Sequence, residues 1–392
     1  MLITPRLPGD EFEGYAEVSV GNYDMQRLQG VVNIPVNDSF RLRLGVDHQK
    51  RDGYLENKSG IGPGEFADLD YTAFRVSAIF DITDSLENYT IFKTVDSKNN
   101  NSPASLFMCN PDAGGLGTFY APMCADDLAN RAAQGADGHF DVWSNLANPT
   151  SEIEQWQLIN TTSWDMREDI RLKNIFSYAE TETRYESMVY ATNFNFGVLD
   201  TFLGLPDGFF ADREFIFAMA GHAEGINQSD SRTVINELQL QGTSLGDRLE
   251  WQAGIYYEKT KPVEDYGSQS PGSNSCDRAT IKDPQPQNWR CNDVLGQLIG
   301  FPYGSIGSGT GGVIYENKAV YGQGTYYFSD KYALTLGLRY TDDKSEGQVD
   351  DVRAFFPGNY SSTETFAPDQ VNSKVVKSEA NSEEPTWVVG FD

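Results

Sequence analysis

Long apolar runs are absent from this sequence: nowhere do 18 apolar residues follow one another, which excludes a transmembrane helix. Basic residues are also scarce, since 30 Lys and Arg stand against 57 Asp and Glu and leave a net charge of -27. Nucleic-acid binding needs a basic surface and is therefore excluded. The low mean hydropathy, -0.47, does not exclude a membrane β-barrel, because barrel strands turn only alternate residues toward lipid.

Catalytic and metal-binding motifs are missing as well. The three histidines, His48, His139 and His222, are not spaced as metal ligands, and no H-E-x-x-H, G-x-S-x-G or P-loop occurs. Residues 307–312, GSGTGG, match a dinucleotide motif but lack the flanking strand and helix, so a glycine-rich loop is favoured. The acidic pairs at 126–127, 342–343 and 350–351 have no apolar surroundings that would raise a pKa. We therefore predict no enzyme activity, no catalytic residue, no metal site and no cofactor.

Only four cysteines occur, and they form two local pairs with the same separation: Cys109 with Cys124, and Cys276 with Cys291. Each pair lies in a long segment rich in Gly, Asn, Pro and Asp. Two disulfides within loops, formed in an oxidising compartment, are the favoured interpretation. Four unrelated free thiols are the alternative, and a metal site would need tighter spacing.

The stretch RLQGVVNIPVNDSFRLRLGV, residues 27–46, alternates strictly between apolar and polar residues on both sides of Asn37-Asp38-Ser39. Period two around such a turn predicts a β-hairpin with one apolar face. That face packs either on a soluble core or against lipid.

The order of the connections decides between these two. Strand pairs recur along the whole chain, and short polar turns alternate with long connections. The turns are at 37–39, 83–85, 165–169, 243–247 and 329–331, and the long connections at 51–69, 96–151, 182–230, 259–316 and 343–384. All turns then lie at one end of the sheet and all long loops at the other, as in outer-membrane barrels. Aromatic residues near both strand ends fit two interfacial girdles. We predict an all-β fold: an antiparallel transmembrane β-barrel of the outer membrane, whose apolar face meets lipid.

One long loop carries aromatic residues near a predicted disulfide. Phe107, Phe119, Tyr120 and Trp143 lie in the segment that contains Cys109 and Cys124. Aromatic side chains on a cross-linked outer loop are candidates for ligand contact. Packing of the loop itself is the alternative.

Three stretches resemble TonB-dependent outer-membrane receptors. The segment from TPRLPGDEFEGYAEV to VDHQKRDGYLEN resembles the junction of plug and barrel in that family, and so does FRVSAIFDITDSLENYTIFK. EEPTWVVGFD resembles the opening of a mid-barrel strand. The resemblance implies a barrel of about 22 strands around a plug. Residues 1–10 are then the end of the plug, and residues 11–392 form the N-terminal half of the barrel, with eleven strands and the start of a twelfth.

We therefore expect a fragment, without signal peptide, TonB box or aromatic-ended last strand, because half a barrel leaves two unpaired edges in lipid. The implied function is uptake of a scarce solute, such as siderophore-iron or a glycan, across the outer membrane of a Gram-negative bacterium. The implied partners are outer-membrane lipid, a small solute and a TonB-type energy-transducing protein, reached through the missing N-terminal segment. The barrel is expected to be monomeric.

Two other classes remain open: a passive outer-membrane porin, and a secreted soluble β-rich binding protein or glycan enzyme. The plug-like TPRLPGDEF argues against the porin, and no carboxylate pair on rigid strands supports the glycan enzyme. Between residues 343 and 384, nine Asp and Glu face four Lys and Arg. Long-range steering by such a loop disfavours an anionic solute, so a neutral ligand is an equal candidate.

Overall fold

The architecture is a single antiparallel sheet of twelve long strands, observed in a computed structural model that describes residues 5–110, 112, 114–144, 146–190, 192 and 194–391. Each strand pairs with the next one along the chain, which confirms the predicted meander. The strands are β1 (Glu13–Gly21), β2 (Met25–Asn37), β3 (Phe40–Arg51), β4 (Leu69–Thr83), β5 (Leu86–Asn99), β6 (Thr150–Arg167), β7 (Ile170–Met188), β8 (Ser229–Ser244), β9 (Leu249–Pro262), β10 (Ser305–Ser329), β11 (Tyr332–Phe355) and β12 (Gln370–Phe391).

The predicted hairpin at 27–46 is formed by β2 and β3. Val32 lies opposite Leu44 and Ile34 opposite Leu42, and the register shifts by one residue at Pro35, beside the turn. This shift leaves Val36 as an extra residue of β2, as in a β-bulge, next to the tight turn.

The sheet has one apolar and one polar face. Successive side chains of a strand point to opposite faces, and apolar and polar residues alternate along these strands. The apolar row Leu44, Val76, Phe92, Leu158 and Tyr178 crosses five neighbouring strands. Large apolar side chains on this face stay exposed, among them Val320 at 54% and Leu338 at 61%. An apolar band of this extent fits a lipid-facing surface. The polar face holds fully buried side chains, among them Ser77 and Asn33, and it lines the lumen.

Aromatic rings gather at the turn end of the sheet, as the predicted girdle requires. Phe40 of β3 contacts Phe80 of β4, with ring centroids 6.2 Å apart. Tyr332 of β11 stacks on Phe391 of β12 at 6.0 Å.

All five predicted turns lie at one end of the sheet. The opposite end carries the short connection 22–24 between β1 and β2 and five longer loops, which we number from one to five: 52–68, 100–149, 189–228, 263–304 and 356–369.

The predicted long connection at 343–384 is wrong in extent. β11 continues to Phe355 and β12 begins at Gln370, so the fifth loop is only 356–369. The strand extensions carry charged and polar residues on both faces, and the apolar alternation that identifies a strand is therefore missing there. β10 likewise begins at Ser305, within the stretch predicted to be loop, and the GSGTGG motif is part of this strand.

The predicted plug end lies partly outside the described residues, since the structure describes residues 5–10 of it. Here the side chain of Asn33, fully buried on the lumen face of β2, holds the incoming chain. Its Nδ2 donates to the carbonyl oxygen of Gly9 at 2.8 Å, and its Oδ1 accepts from the Gly9 amide at 2.8 Å. The chain therefore enters the barrel along the lumen wall.

The loops carry their own short elements. Strand Asp141–Val142 of loop two adds to strands Leu55–Asn57 and Glu65–Phe66 of loop one. Within the described part of the chain, no helix is both long enough and apolar enough to cross a membrane. The remaining elements are α1 (Leu116–Ala133), α2 (Val198–Leu203), α3 (Val294–Ile299), the 3-10 helix Pro286–Asn288, and strands Phe194–Asn195, Glu214–Ala220, Tyr266–Cys276 and Cys291–Asn292.

Candidate functional site

Loops two to five pack against one another, and we refer to them together as the outer-loop cluster. Its interior is aromatic: Phe196 lies 4.8 Å from Phe215, ring centroid to ring centroid, and 6.3 Å from Phe210. All three rings are almost completely buried. The buried apolar area makes the cluster a small folded body above the barrel strands, and not a set of independent loops.

Tyr120 on α1 is the link between loops two, three and four. Its ring lies 4.9 Å from that of Phe217 in an edge-to-face contact, and its hydroxyl is 3.4 Å from the hydroxyl of Ser273. Burial raises the pKa of the Tyr120 hydroxyl. Its neighbour Phe119 contacts Phe196 at 6.3 Å. Both side chains therefore pack within the cluster.

The other two aromatic candidates lie in different surroundings. Phe107 is 85% exposed. The Trp143 ring lies 5.9 Å from the guanidinium of Arg131, in cation–π geometry. Of the four candidates, Phe119 and Tyr120 therefore pack inside the cluster and Trp143 contacts a cation. Phe107 is the candidate whose ring is exposed on the surface.

Both cysteine pairs are disulfides in this structure, Cys109 with Cys124 and Cys276 with Cys291. The first ties α1 to the segment before it, and the second joins strand Tyr266–Cys276 to strand Cys291–Asn292. Cys291 is fully buried beside Trp289. Each disulfide therefore closes one loop of the cluster.

Two adjacent buried residues have separate roles: the Asn292 side chain holds loop five, and the Asp293 side chain orders loop four. Asn292 Nδ2 donates to the carbonyl oxygen of Glu364 at 2.8 Å, and its Oδ1 accepts from the Asn359 amide at 2.8 Å. Asp293 caps α3 through the Gly296 amide and also accepts from the Tyr303 amide, both at 2.8 Å. Burial raises the pKa of the Asp293 carboxyl, against the opposing effect of these two hydrogen bonds.

A buried cation reaches the same segment from loop three. Arg213 donates from Nη1 to the carbonyl oxygen of Asn359 at 2.9 Å and from Nη2 to that of Tyr360 at 3.0 Å. Burial lowers the pKa of its guanidinium. Loop five is therefore held from two sides, by Arg213 and by Asn292.

Below the loops, the lumen wall carries a cluster of hydrogen-bonded polar side chains on β8 to β11. The Tyr321 hydroxyl donates to Glu237, and the Tyr256 hydroxyl donates to Glu258 at 2.7 Å. The guanidinium of Arg339 lies 5.3 Å from the Tyr256 ring centroid and 5.9 Å from that of Tyr321. We call these five residues the lumen cluster.

A groove of about 400 Å³ runs beside the lumen cluster and is also lined by Gln239, Gln252 and Gln323. Amide, carboxylate and hydroxyl groups beside aromatic faces can hydrogen-bond and stack on a polar small molecule. Among the described residues, no group of three or more His, Cys, Asp or Glu side chains is arranged to hold a metal ion.

Sequence reasoning did not find the lumen cluster. Glu237 and Tyr321 are 84 residues apart and meet only because β8, β9 and β10 are in register. The available signal was the polar residue at every second position of each strand. Gln239 and Gln241 on β8, Gln252 on β9 and Gln323 on β10 all occupy such positions and face the lumen.

No protein-family model and no curated protein matches this sequence. Solved structures do match. The ferric yersiniabactin uptake receptor FyuA from Yersinia pestis aligns over 98% of this chain and 45% of its own, with a TM-score of 0.60 and 12% identity. The ferric-catecholate import receptor Fiu from E. coli K12, in its open form, aligns over 98% of this chain and 53% of its own, with a TM-score of 0.56 and 12% identity.

The siderophore receptor PiuA from Acinetobacter baumannii gives a TM-score of 0.56 at 13% identity, over 98% of this chain and 48% of its own. The chain thus spans about half the length of the structures it matches. At these identities the likeness concerns the fold, and it confirms the resemblance found in the sequence: the fold is that of the outer-membrane β-barrel of TonB-dependent siderophore receptors.

Proposed function

We propose that this chain is part of an outer-membrane uptake receptor, in which the outer-loop cluster captures a small solute and the lumen wall guides it inward. The observation that carries the proposal is the arrangement of one sheet: structured loops at one end, tight turns at the other, and a polar lumen groove between them. An enzyme is not proposed, because the structural neighbours are uptake and import receptors by their names.

The energy source is part of the proposal. In the family that the chain resembles, a TonB-type protein acts on the plug, and we infer that contact to be made by a segment outside this chain. Capture then requires that the loops bind the solute more tightly in one conformation than in another. Arg213 of loop three and Asn292 of loop four both bind loop five, so a movement of loop five would be shared by the whole outer-loop cluster.

The solute class rests on the neighbours with matching folds. Their names give ferric yersiniabactin, a ferric catecholate and a siderophore as what they take up. An iron chelate is therefore the leading candidate, and a glycan is the second. The hydrogen-bonding lumen cluster suits either one.

Uptake by living cells tests this proposal. Cells of the source organism with and without the gene are given radiolabelled ferric chelates and labelled oligosaccharides, in the presence and absence of a protonophore. We expect accumulation of one solute that requires the gene and stops when the proton gradient is dissipated. Gene-dependent uptake that ignores the protonophore would support a passive porin. Equal uptake of every solute by both strains would contradict the proposal.

A further inference from the structure

A group of polar side chains interrupts the apolar, lipid-facing side of the sheet on β5 to β8. Six neighbouring outward positions carry an amide or a hydroxyl group, and we call these residues the polar seam: Asn88, Thr90, Asn160, Thr162, Asn174 and Asn236. They adjoin in the strand register, since Thr90 lies opposite Asn160 and Thr162 lies opposite Asn174. The outward side of the flanking strands is apolar, with Leu42 on β3 and Leu338 on β11.

The polar seam reaches the middle of the membrane-spanning band. On the outward side of β6, Trp164 stands near the turn and Trp156 near the loops, and Asn160 lies midway, four residues from each. Aromatic residues placed in this way mark the two membrane interfaces. The polar groups of lipids lie at these interfaces, so the lipid beside Asn160 offers only hydrocarbon. A hydrogen-bonding partner at this depth must therefore come from protein.

The two members on β7 and β8 keep unused hydrogen-bonding groups, whereas the four on β5 and β6 bond to one another. Asn174 Nδ2 donates to Asn236 Oδ1 and to the carbonyl oxygen of Glu237, both at 3.3 Å. Asn236 Nδ2 donates to none of the residues that the structure describes, and Asn174 Oδ1 accepts from none of them. Asn236 is partly exposed and lies between Val234 and Leu238 on the outward side of β8. An amide group without a partner among apolar neighbours is destabilising.

We propose that the polar seam is a contact surface between two copies of this chain within the outer membrane. A surface with both an unused donor and an unused acceptor is complementary to a second copy of itself, and pairs about a twofold axis are the commonest symmetric assembly. The seam is uncharged, and a second copy supplies neutral amides and hydroxyls. Side chains of these types hydrogen-bond between membrane-spanning segments.

The position of the polar seam in the sheet permits this contact. Strands β5 to β8 are the middle strands, with β1 to β4 on one side and β9 to β12 on the other. A contact through their outward face leaves β1 and β12 available for strand pairing and leaves the polar face to the lumen. The inference therefore goes beyond the proposed uptake function and does not depend on it. It differs from the monomeric barrel expected from the sequence, because only the strand register brings the seam together.

Resonance energy transfer between full-length chains in lipid vesicles tests the inference. Asp84→Cys introduces one free thiol for labelling in the turn before β5, because the four native cysteines are in disulfides. Donor-labelled and acceptor-labelled chains are mixed in vesicles of phosphatidylethanolamine and phosphatidylglycerol, and the lipid-to-protein ratio is varied. We expect energy transfer above the level of random encounters, with a lipid dependence that fits an equilibrium between one and two copies.

The variant Asn174→Leu/Asn236→Leu removes the unused donor and acceptor from the labelled chain. We expect the dissociation constant of the pair to rise by about tenfold or more, because two hydrogen-bonding side chains are lost from the contact. Leucine is favourable in lipid, so the variant should fold. Gln155→Leu/Gln241→Leu is the matched control: these amides lie on β6 and β8 but face the lumen, as they adjoin outward-facing residues along each strand. The control must keep the energy transfer.

Three results would overturn the inference. The first is energy transfer in the chain with native Asn174 and Asn236 that never exceeds the level of random encounters. The second is equal association of that chain and the double leucine variant, because the contact then lies elsewhere, as at the edge strands β1 and β12. The third is an equal loss of association in the Gln155 and Gln241 control. None of these results bears on uptake, which is measured in cells and requires no pairing.

Discussion

The amide side chains of Asn88 and Asn160 are hydrogen-bonded to each other on the outward face of the sheet. Asn160 Nδ2 donates to Asn88 Oδ1 at 2.9 Å, and Asn88 Nδ2 donates to Asn160 Oδ1 at 3.2 Å. Thr90 and Thr162 complete the arrangement: each hydroxyl accepts from one amide and donates to the other. Every donor of the four side chains is used within the group.

This closure explains how four polar side chains occupy a lipid-facing position. They are surrounded by the apolar residues Phe80, Phe92, Leu158 and Trp164. An amide without partners in hydrocarbon costs several kcal/mol, whereas a closed network has no unsatisfied group.

The network predicts strong coupling between its two amides. Asn88→Leu leaves Asn160 with unpaired groups in lipid, and we expect each single substitution to lower the free energy of unfolding by about 1–2 kcal/mol. The double variant Asn88→Leu/Asn160→Leu removes both amides together and should cost less than the sum of the two. A double-mutant cycle in urea with lipid vesicles measures this. Strictly additive effects would show that the two amides act independently.

Asp293 predicts a pH dependence of the outer-loop cluster. Burial raises the pKa of the Asp293 carboxyl above the ordinary value of about 3.9. The stabilisation of the folded loops that is linked to this shift is fully present below the ordinary value, and it is lost as the pH rises through the raised pKa. Hydrogen exchange at loops four and five, corrected for intrinsic rates, should show weaker protection at higher pH. Asp293→Asn should remove this dependence.

Asp277→Asn is the control for that experiment. Asp277 lies in the same loop, is exposed, and accepts a 3.0 Å hydrogen bond from the Ala279 amide. It should leave the pH profile unchanged. An unaltered profile in Asp293→Asn would assign the dependence to another group.

Replacing Tyr120 and replacing Phe107 by alanine should affect stability to very different degrees. Tyr120→Ala removes a partly buried ring that packs on buried rings, and it should destabilise the cluster by about 3 kcal/mol, the lower end of the range for large aromatic residues. Phe107→Ala removes an exposed ring and should leave stability within about 0.5 kcal/mol. Protease resistance of loop two reports on both variants. A large loss of stability in Phe107→Ala would mean that this ring packs in the folded protein.

The disulfide between Cys109 and Cys124 predicts a local stability loss when it is removed. It closes a separation of 15 residues, and loop-closure entropy gives about 3 kcal/mol for a loop of that size. Cys109→Ser/Cys124→Ser should therefore increase hydrogen exchange in α1 while the strand pairing of β5 with β6 keeps its protection. Loss of protection in the strands as well would show that the barrel depends on the loop.

The predictable part of this fold is the part that meets lipid. Strands such as β2 and β3 were found because Val32, Ile34, Leu42 and Leu44 alternate with polar residues. The outer extensions of β11 and β12 are not predicted by the sequence. Neither of their faces meets lipid, and so they carry no alternation of apolar and polar residues. Asn88 and Asn160 show a related limit: each is an ordinary polar residue in a strand, and only the register reveals that they are partners.

The candidate site was less predictable for the same reason. The cysteine pairs are local in sequence, and so their spacing was informative. The contact between Glu237 and Tyr321 is set by strand register, which a single sequence does not specify. Of the loop aromatics, packing decides that Tyr120 is partly buried and Phe107 exposed, and the sequence alone does not specify this packing.

The sidedness of the two ends of the sheet decides whether this sheet belongs to an outer-membrane barrel. An epitope inserted at the exposed turn Gln134-Gly135 of loop two is compared with one inserted at Asp84, in the turn between β4 and β5, in cells of the source organism. We expect antibody to reach the first epitope on intact cells, and the second only after the outer membrane is permeabilised. Equal access to both epitopes on intact cells, or recovery of the chain in the soluble fraction, would contradict it.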